Sequence, residues 1–345
     1  MSKTIFDRSE PLVICLGEAL VDRLGPLGGD PAVDQPVEDC LGGAPANVAC
    51  GLARLGTKVA FLGRLGDDAI GIGFRELLED RDVNLSGLQI DHLRPSRIVL
   101  VRRDLYGERV FQGFSGDRGD GFADQALSLD ELAATWPLVV RKARWLLIGS
   151  IPLATPASAE ALLWCVDQAQ KAGIEVALDV NWRPTFWDPD HSPDSGPDEK
   201  TLEAISSLLD CASLLKLARE EAVWFFNTDD PAAIARSLPQ RPDVVVTDGA
   251  LPVRWCIGGC VGEIAAFAPP SVVDTTGAGD AFSAGLLHQF LIASPSHRDS
   301  IKVREMVRFA AASGALVCGG AGGIAPQPSQ MQVEAFLESA AGAVS

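Results

Sequence analysis

Short apolar segments alternate with amphipathic ones along most of the chain, and this alternation limits the folds that the chain can adopt. The apolar segments span residues 12–20, 58–66, 144–151, 175–182, 213–217 and 243–249. Each is short and closed by a glycine, an acid or another polar residue, which is typical of central parallel strands whose carboxyl ends form a site. Helical patterns lie between them, at residues 44–55, 69–81, 158–173 and 219–226. The alternation predicts an α/β fold with a doubly wound, mostly parallel central sheet flanked by helices.

Two segments interrupt this alternation. Residues 97–114 alternate apolar and polar side chains across a Tyr-Gly-Glu turn, which is the pattern of a two-stranded hairpin with one solvated face. Residues 23–41 are rich in turn-forming residues and could add a short pair of strands. We expect both segments to form a small β-sheet lid on a single domain that spans residues 1–345. Edge strands of the main sheet are the alternative.

Charge and cysteine content restrict the partners and the compartment. The chain has 46 acids against 29 lysines and arginines, a formal net charge of −17, which argues against nucleic acid or an anionic membrane as the main partner. Its eight cysteines contain no C-x-x-C pair, so core thiols are expected rather than disulfides or a zinc site. The sequence has neither a leader-like start nor an apolar run of membrane-spanning length, so a cytoplasmic protein is expected.

The segment DTTGAGDAFSAG, residues 274–285, places several glycines directly before a helical stretch. A P-loop would need G-x-x-x-x-G-K-[ST], and a dinucleotide-binding loop would need a third glycine where Phe282 stands. The segment instead suits an anion hole, in which backbone N–H groups and the positive end of the helix dipole face a phosphate. Asp280 would then lie within reach of a hydroxyl group. The alternative is that Asp280 is a first-turn acid that only stabilises the helix.

These motifs resemble those of a known family. DTTGAGDAF is similar to the C-terminal signature of the ribokinase-like (pfkB-type) carbohydrate kinases. GGAPANVACGLARLG, residues 42–56, resembles that family's N-terminal signature, and GRLGDDAIG, residues 63–71, resembles its G-x-[LIV]-G-x-D-x-[FI]-G element. The resemblance runs from about residue 12 to residue 338, and it implies the ribokinase-like fold and an ATP-dependent kinase.

The resemblance also implies roles for residues in the phosphoryl and sugar sites. Asp280 corresponds to the general base, and the Gly277, Ala278 and Gly279 amides correspond to the anion hole for the transferred phosphoryl group. The family positions that hydrogen-bond sugar hydroxyls are occupied here by three residues near the N-terminus: Asp22, Gly43 and Asn47. Two residues of the lid hairpin are expected to line the sugar pocket as well: Arg97 and Phe111.

Other matches concern ATP and ions. The implied ATP-binding residues are Asn181 and Arg183 of a D-x-N-x-R element, Thr247, Gly249, Gly314 and Gly323. Glu221 stands where the K-x-[NS]-x-x-E motif organises Mg²⁺ through waters, although an ordinary acidic helix start is the alternative. The chain departs from the family pattern at three positions: Ala218, Pro252 and Ala311. Many relatives also bind K⁺ beside the anion hole with an acid at the position of Asp274, and K⁺ stays open here.

Among the subfamilies, the fructokinases are most similar in the GEALVD and DVNWRPTFW segments and in the lid hairpin. This similarity implies transfer of the ATP γ-phosphoryl group to the 6-hydroxyl of D-fructose. Ribokinase, 2-keto-3-deoxygluconate kinase and nucleoside kinase activities remain alternatives, as does a non-catalytic sugar or nucleotide sensor on the same fold. A lid sheet with one apolar face would also allow a homodimer.

Overall fold

The computed structural model describes residues 10–103, 109–269, 271–293 and 299–342, and these residues contain fourteen β-strands. They are β1 (Val13–Leu16), β2 (Leu20–Leu27), β3 (Glu38–Gly42), β4 (Val59–Leu62), β5 (Arg64–Gly66), β6 (Gln89–Asp91), β7 (Ile98–Arg103), β8 (Arg109–Ser115), β9 (Trp145–Ile148), β10 (Glu175–Asp179), β11 (Leu214–Ala218), β12 (Asp243–Thr247), β13 (Val253–Ile257) and β14 (Cys260–Ile264).

Eleven α-helices lie within the same described ranges. They are α1 (Ala44–Arg54), α2 (Ala69–Asp80), α3 (Leu129–Val139), α4 (Pro156–Lys171), α5 (Pro184–Trp187), α6 (Glu199–Leu209), α7 (Arg219–Phe226), α8 (Pro231–Ser237), α9 (Ala278–Ile292), α10 (Ser300–Val317) and α11 (Gln330–Gly342). Two short 3₁₀ turns, Ala123–Ala126 and Ile151–Ala154, supplement them. No helix of the described residues is long and apolar enough to span a membrane.

Eight of the strands form the central sheet, in the order β14-β13-β12-β11-β10-β9-β1-β4. Six neighbouring strands, from β4 to β12, pair in parallel, while β13 and β14 add an antiparallel hairpin at one edge. The turn of this hairpin is a Gly-Gly pair, Gly258 and Gly259, with φ of 56° and 78°. Such a pair suits a two-residue hairpin turn because both positions need positive φ.

Helices cover both faces of the central sheet. Val13 and Cys15 of β1 join an apolar cluster with α1, α2, α9 and α10, whereas Ile14 and Leu16 join a second cluster with α3, α4, α6 and α8. Successive side chains of a strand point to opposite faces, so each strand contributes to both cores. The predicted doubly wound, mostly parallel fold is confirmed.

A separate four-stranded sheet, in the order β3-β2-β7-β8, contains the two predicted lid segments. Residues 97–114 supply β7 and most of β8, and residues 23–41 supply parts of β2 and β3. The predicted Tyr-Gly-Glu turn lies outside the described residues. Because these strands pair with each other and not with the central sheet, the expectation of a small separate sheet is confirmed, and the alternative of edge strands is not.

Two predicted strands are divided in the structure. Residues 12–20 contain β1 and the first residue of β2, which belong to different sheets, and residues 58–66 contain β4 and β5. Gly17 separates β1 from β2 with φ 151°, and a Cβ atom there would lie 2.6 Å from Pro45 Cγ. A hydrophobic run shows only that a segment is buried, so it does not reveal where the backbone turns from one sheet to the next.

Candidate active site

The carboxyl ends of β10 and β11 supply charged side chains to one edge of the central sheet. Asp179 is the last residue of β10, and Lys216 lies near the end of β11. Lys216 Nζ donates hydrogen bonds to Asp179 Oδ1 and Oδ2, at 3.1 and 2.9 Å. Ser283 Oγ of α9 also donates to Asp179 Oδ2, at 3.0 Å. This network joins the strand ends to the first turns of α9, as expected for an open α/β sheet whose site forms beyond its strand termini.

Two glycines lie on either side of the first residue of helix α9. Gly277, which precedes the helix, has φ 78°, and a Cβ atom there would lie 2.5 Å from Gly323 Cα. A Cβ atom on Gly279 would lie 2.9 Å from Lys216 Nζ. The N–H of Ala278 donates to Thr275 O at 3.3 Å, so this amide already has a protein acceptor. The first-turn N–H groups that follow have no intrahelical acceptors and present the positive end of the helix dipole.

Asp280 lies in this first turn, and its carboxylate is hydrogen-bonded to a side chain from a different helix. Asn47 Nδ2, on α1, donates to Asp280 Oδ2 at 2.7 Å. Burial, and after it the charge of Asp179, raise the pKa of Asp280 to about 6, against the opposite effects of Asn47, Lys216 and Arg183. A carboxyl group with this pKa is ionised at neutral pH yet basic enough to accept a proton.

The residues predicted to bind sugar come together around the start of α1. A Cβ atom on Gly42 would lie 3.4 Å from Asp22 Oδ2 and 3.9 Å from Asn47 Oδ1. Gly43 has φ 100°, and a Cβ atom there would lie 2.7 Å from Glu18 O, so only glycine fits this turn. Asn47 Oδ1 is buried and has no hydrogen-bond partner within the described residues. Such an acceptor suits a ligand hydroxyl, because buried polar atoms are normally paired.

Arg97, which was predicted to line the sugar pocket, is buried and binds other groups of the protein. Its side chain is 3% exposed, and Nε and Nη2 donate to Asp124 Oδ2 and Oδ1 at 2.9 and 3.2 Å. The guanidinium also lies 4.6–4.8 Å from the ring centroids of Phe114, Phe122 and Phe186. Arg97 lines a cavity with Glu18, Asp124 and other residues.

Phe111, the other predicted lid residue of the sugar pocket, is partly buried on β8. It contacts Phe114 edge to face, with 5.1 Å between the ring centroids. Phe114 in turn contacts the Arg97 guanidinium, so Phe111 extends the aromatic cluster around Arg97 into the small sheet.

The residues predicted to bind ATP divide into two groups. Asn181, Arg183, Thr247 and Gly249 lie at or just beyond the carboxyl ends of β10 and β12, and Arg183 is exposed. Gly314 and Gly323 are buried instead. A Cβ atom on Gly314 would lie 2.8 Å from Ala278 O, and one on Gly323 would lie 2.4 Å from Asn47 Nδ2. These two glycines therefore allow α10 and the loop before α11 to approach the start of α9 and Asn47.

Two further acids of the predicted ion sites bind backbone groups. Glu221 Oε1 accepts a hydrogen bond from Trp182 N at 2.6 Å, and Oε2 accepts one from Ala218 N at 2.7 Å. Asp274 Oδ2 accepts from Gly322 N at 2.7 Å. Burial raises the pKa of Glu221, and the neighbouring Asp179 adds to this effect. Glu221 links the end of β11 to the segment after β10, and Asp274 links the loop before α9 to the loop before α11.

A comparison with known protein families identifies the family of the whole chain. The family model described as pfkB family carbohydrate kinase matches residues 10–330. The chain belongs to the pfkB family. The resemblance seen in the two glycine-containing signatures is thereby confirmed over nearly the whole chain.

Individual pfkB relatives carry more specific names. The chain is 32% identical over 338 residues to a probable chloroplastic fructokinase of Arabidopsis thaliana, covering 96% of this chain and 84% of the relative. It is similar to the crystal structure of a Xylella fastidiosa fructokinase with bound ATP, at TM-score 0.80, 29% identity and coverage of 95% and 98%. A Vibrio cholerae fructokinase bound to fructose, ADP and calcium matches at TM-score 0.77 and 28% identity, covering 96% and 100%.

Sequence reasoning missed three charged residues of the candidate site. Glu18 is 3% exposed, and burial raises its pKa to about 8, with Asp124 and Asp280 acting in the same direction. Asp124 was missed because its partner Arg97 is distant in sequence. Lys216 stands in the K-x-[NS]-x-x-E match, and that position was the available signal. Nothing local in the sequence distinguishes Glu18 and Asp124 from surface acids.

Proposed function

We propose that this pfkB-family protein transfers the γ-phosphoryl group of ATP to the 6-hydroxyl of D-fructose, with Asp280 as general base. The observation that carries this proposal is the Asp280 carboxylate at the N-terminus of α9, bonded to Asn47 and with its pKa raised to about 6. General bases work best when their pKa lies near the working pH. The names of the fructokinase relatives support fructose as the acceptor.

In the proposed reaction, Asp22, Gly43 and Asn47 hold the sugar hydroxyls, and Asp280 accepts the proton of the 6-hydroxyl. The hydroxyl oxygen then forms a bond to the γ-phosphorus while the bond to the ADP oxygen breaks. The amides of Gly277 and Gly279 stabilise the phosphoryl charge in transit, whereas the predicted amide of Ala278 donates to Thr275 O instead. Arg97 and Phe111 line the sugar pocket. Both contact the ring of Phe114, which belongs to the aromatic cluster around Arg97.

For ATP, we infer binding by Asn181, Arg183, Thr247, Gly249, Gly314 and Gly323, with Arg183 contacting a phosphate. The described residues contain no group of three or more acid, His or Cys side chains that could hold a metal ion. Kinases, however, hold Mg²⁺ mainly through substrate phosphates and water. We infer that Mg²⁺ would be held in that way and would neutralise phosphate charge. Glu221, whose two oxygens each accept a backbone N–H, would act on the ion only through water.

The proposal extends to the whole chain. We infer a single domain, residues 1–345, in which the segments 23–41 and 97–114 act as a lid that excludes water, since exclusion limits hydrolysis of ATP. Exposed apolar side chains on this sheet, Leu27 and Val110, support a homodimer formed through the lid. We infer a cytoplasmic location.

The substitution Asp280→Asn tests the proposed base. We expect kcat for fructose to fall by about 10²–10⁴, the usual contribution of a general base, measured by coupled detection of ADP. Asp130→Asn is the matched control, because Asp130 is an exposed first-turn acid of α3. Equal rates for Asp280→Asn and the wild type would instead support the reading of Asp280 as a helix-stabilising acid.

A panel of acceptors tests the substrate. We expect the highest kcat/KM for D-fructose among D-fructose, D-ribose, 2-keto-3-deoxygluconate and a nucleoside. A preference for another acceptor would reassign the subfamily. Sugar binding without phosphorylation of any acceptor would favour the sensor alternative.

A further inference from the structure

Gln327 lies in the loop between α10 and α11, and its side chain is buried, with 3% exposure. Its Nε2 donates a hydrogen bond to Gly323 O, four residues earlier in the chain, at 2.7 Å. On the other side of the same amide, a Cβ atom on Gly51 of α1 would lie 2.8 Å from Gln327 Oε1. Gly323 is itself buried, so this hydrogen bond satisfies a carbonyl group that would otherwise lack a partner.

Gly323 is in contact with two parts of the candidate site. A Cβ atom on Gly323 would lie 2.4 Å from Asn47 Nδ2 and 2.9 Å from Asn47 Oδ1. A Cβ atom on Gly277 would lie 2.5 Å from Gly323 Cα. The same glycine thus packs against the amide that binds Asp280 and against the residue before α9. A displacement of Gly323 would therefore disturb both.

The segment Gly322–Gly323 is held by side chains from two different parts of the chain. Gly322 N donates to Asp274 Oδ2, in the loop before α9, at 2.7 Å, and Gly323 O accepts from Gln327. Gly322 has φ 73°. Two consecutive glycines have large conformational freedom, so their own backbone does not fix their position. The hydrogen bonds from the surrounding side chains supply that constraint.

We propose that Gln327 is a positioning residue of the candidate active site, whose hydrogen bond to the Gly323 carbonyl fixes the glycine against which both the Asn47 amide and Gly277 pack. This inference rests on the proposed kinase function. Gln327 acts through these residues and not by contact with a substrate. One buried amide thereby sets the spacing between the sugar-binding side of the site and the start of α9.

The acid limb of the kcat profile reports this role, because Asn47 lowers the pKa of Asp280. Gln327→Met removes the Nε2 donor with a side chain of similar size. A loosened Asn47 amide should raise the pKa of Asp280, so we expect the limb to move to higher pH by about 0.5 unit. The other groups that act on the Asp280 carboxylate are unchanged in this variant: Asp179, Lys216, Arg183 and Glu18.

The affinity for D-fructose gives a second readout, which does not depend on turnover. We expect isothermal titration calorimetry to show binding weakened by about three- to tenfold in Gln327→Met, as for the misalignment of one hydrogen bond. Gln240→Met is the matched control, because Gln240 Nε2 also donates to a backbone carbonyl, Leu209 O at 2.6 Å. Both readouts should stay at wild-type values in this control. A role in stability alone would lower the melting temperature of Gln327→Met and leave limb and affinity unchanged, which would overturn the proposal.

A double-mutant cycle tests whether Gln327 acts through Asn47. We expect Gln327→Met/Asn47→Leu to show the same shift of the acid limb as Asn47→Leu alone, since the amide that Gln327 positions is then absent. Shifts that add in the double variant would contradict the proposal, because additive effects indicate independent sites.

Gly51→Ala disturbs the same amide from its other side and keeps the test decisive if Gln327→Met does not fold. Its methyl group would meet Gln327 Oε1 at 2.8 Å, while alanine itself favours the helix. We expect the limb to move to higher pH in Gly51→Ala and to stay in place in Gly73→Ala. A wild-type limb in Gly51→Ala would count against the proposal.

Asp280→Asn distinguishes the failure of this proposal from that of the proposed function. Full activity of Asp280→Asn removes the proposed base, and the affinity for D-fructose then decides the role of Gln327. An inactive Asp280→Asn beside a wild-type limb and affinity in Gln327→Met removes only the role of Gln327.

Discussion

At the scale of single residues, Asp280 differs from an acid that only stabilises its helix. A helix-start acid in solvent would keep an ordinary pKa and would need no distant partner. Asp280 instead accepts a hydrogen bond from Asn47, 233 positions away, and burial raises its pKa to about 6. The carboxylate is thus placed and tuned by groups that come from outside its own helix.

The pKa of Asp280 predicts the pH dependence of the rate. Since the base must be ionised, we expect kcat to fall by about tenfold per pH unit below about pH 6. Asn47 lowers this pKa, so Asn47→Leu should raise it and move the acid limb to higher pH. Initial rates between about pH 5 and 8 measure the limb. In the control Asn84→Leu, which removes an acceptor for Ser86 N, the limb should stay in place. A limb that Asn47→Leu leaves unmoved would contradict the assignment.

At the scale of elements, the start of α9 is in close backbone contact with α10 and with the loop before α11. Gly277, Gly323 and Gly314 let three segments approach so closely that no Cβ atom fits between them. The geometry of the proposed anion hole therefore depends on the packing between α9, α10 and the loop before α11. A flexible glycine loop alone would not fix the direction of its N–H groups.

Gly277→Ala tests this packing. The residue has φ 78°, and its Cβ atom would lie 2.5 Å from backbone Gly323 Cα, so we expect a loss of stability of about 1–3 kcal/mol and a lower kcat. Urea unfolding and steady-state kinetics measure both. Gly73→Ala on α2 is the matched control, because a Cβ atom there meets nothing within 4 Å and alanine favours the helix by up to about 1 kcal/mol. Wild-type stability and rate in Gly277→Ala would show that the junction tolerates a side chain.

At the scale of the whole molecule, Arg97 joins the small sheet to the main body. It stands just before β7, while its partner Asp124 belongs to the 3₁₀ turn Ala123–Ala126 and the ring of Phe186 belongs to α5. Both members of the ion pair are nearly inaccessible, at 3% and 5% exposure. A buried bidentate pair of this kind sets one orientation of the sheet, because breaking it leaves an unpaired charge.

Arg97→Met should lower the free energy of unfolding by about 3–5 kcal/mol, since it leaves the Asp124 carboxylate buried without a cation. Arg97→Met/Asp124→Asn should recover much of this loss because no charge stays buried. Chemical denaturation measures each change. Arg23→Met is the control within the same sheet: the Arg23–Asp39 pair is partly exposed and should contribute at most about 1 kcal/mol. Equal effects of Arg97→Met and Arg23→Met would contradict the role given to Arg97.

Much of the architecture was predictable because it depends on local patterns. Strand–helix alternation predicted the doubly wound sheet, and the motifs at residues 42–56 and 274–285 predicted the family. The β13–β14 hairpin was missed, although its Gly258–Gly259 turn between two short apolar runs was a usable signal. The division of residues 12–20 between two sheets was not predictable, because the turn at Gly17 depends on contact with Pro45.

The sequence by itself determined the fold class, the family and the position of the acid at the start of α9, since each follows from residue types at fixed spacing. Only the tertiary structure decided that Asp280 binds Asn47, that Lys216 fills the space beside Gly279, and that Arg97 pairs with Asp124. The physical reason is that pKa, charge pairing and close approach depend on burial and on distances between segments far apart in the chain. Those quantities exist only once the chain has folded.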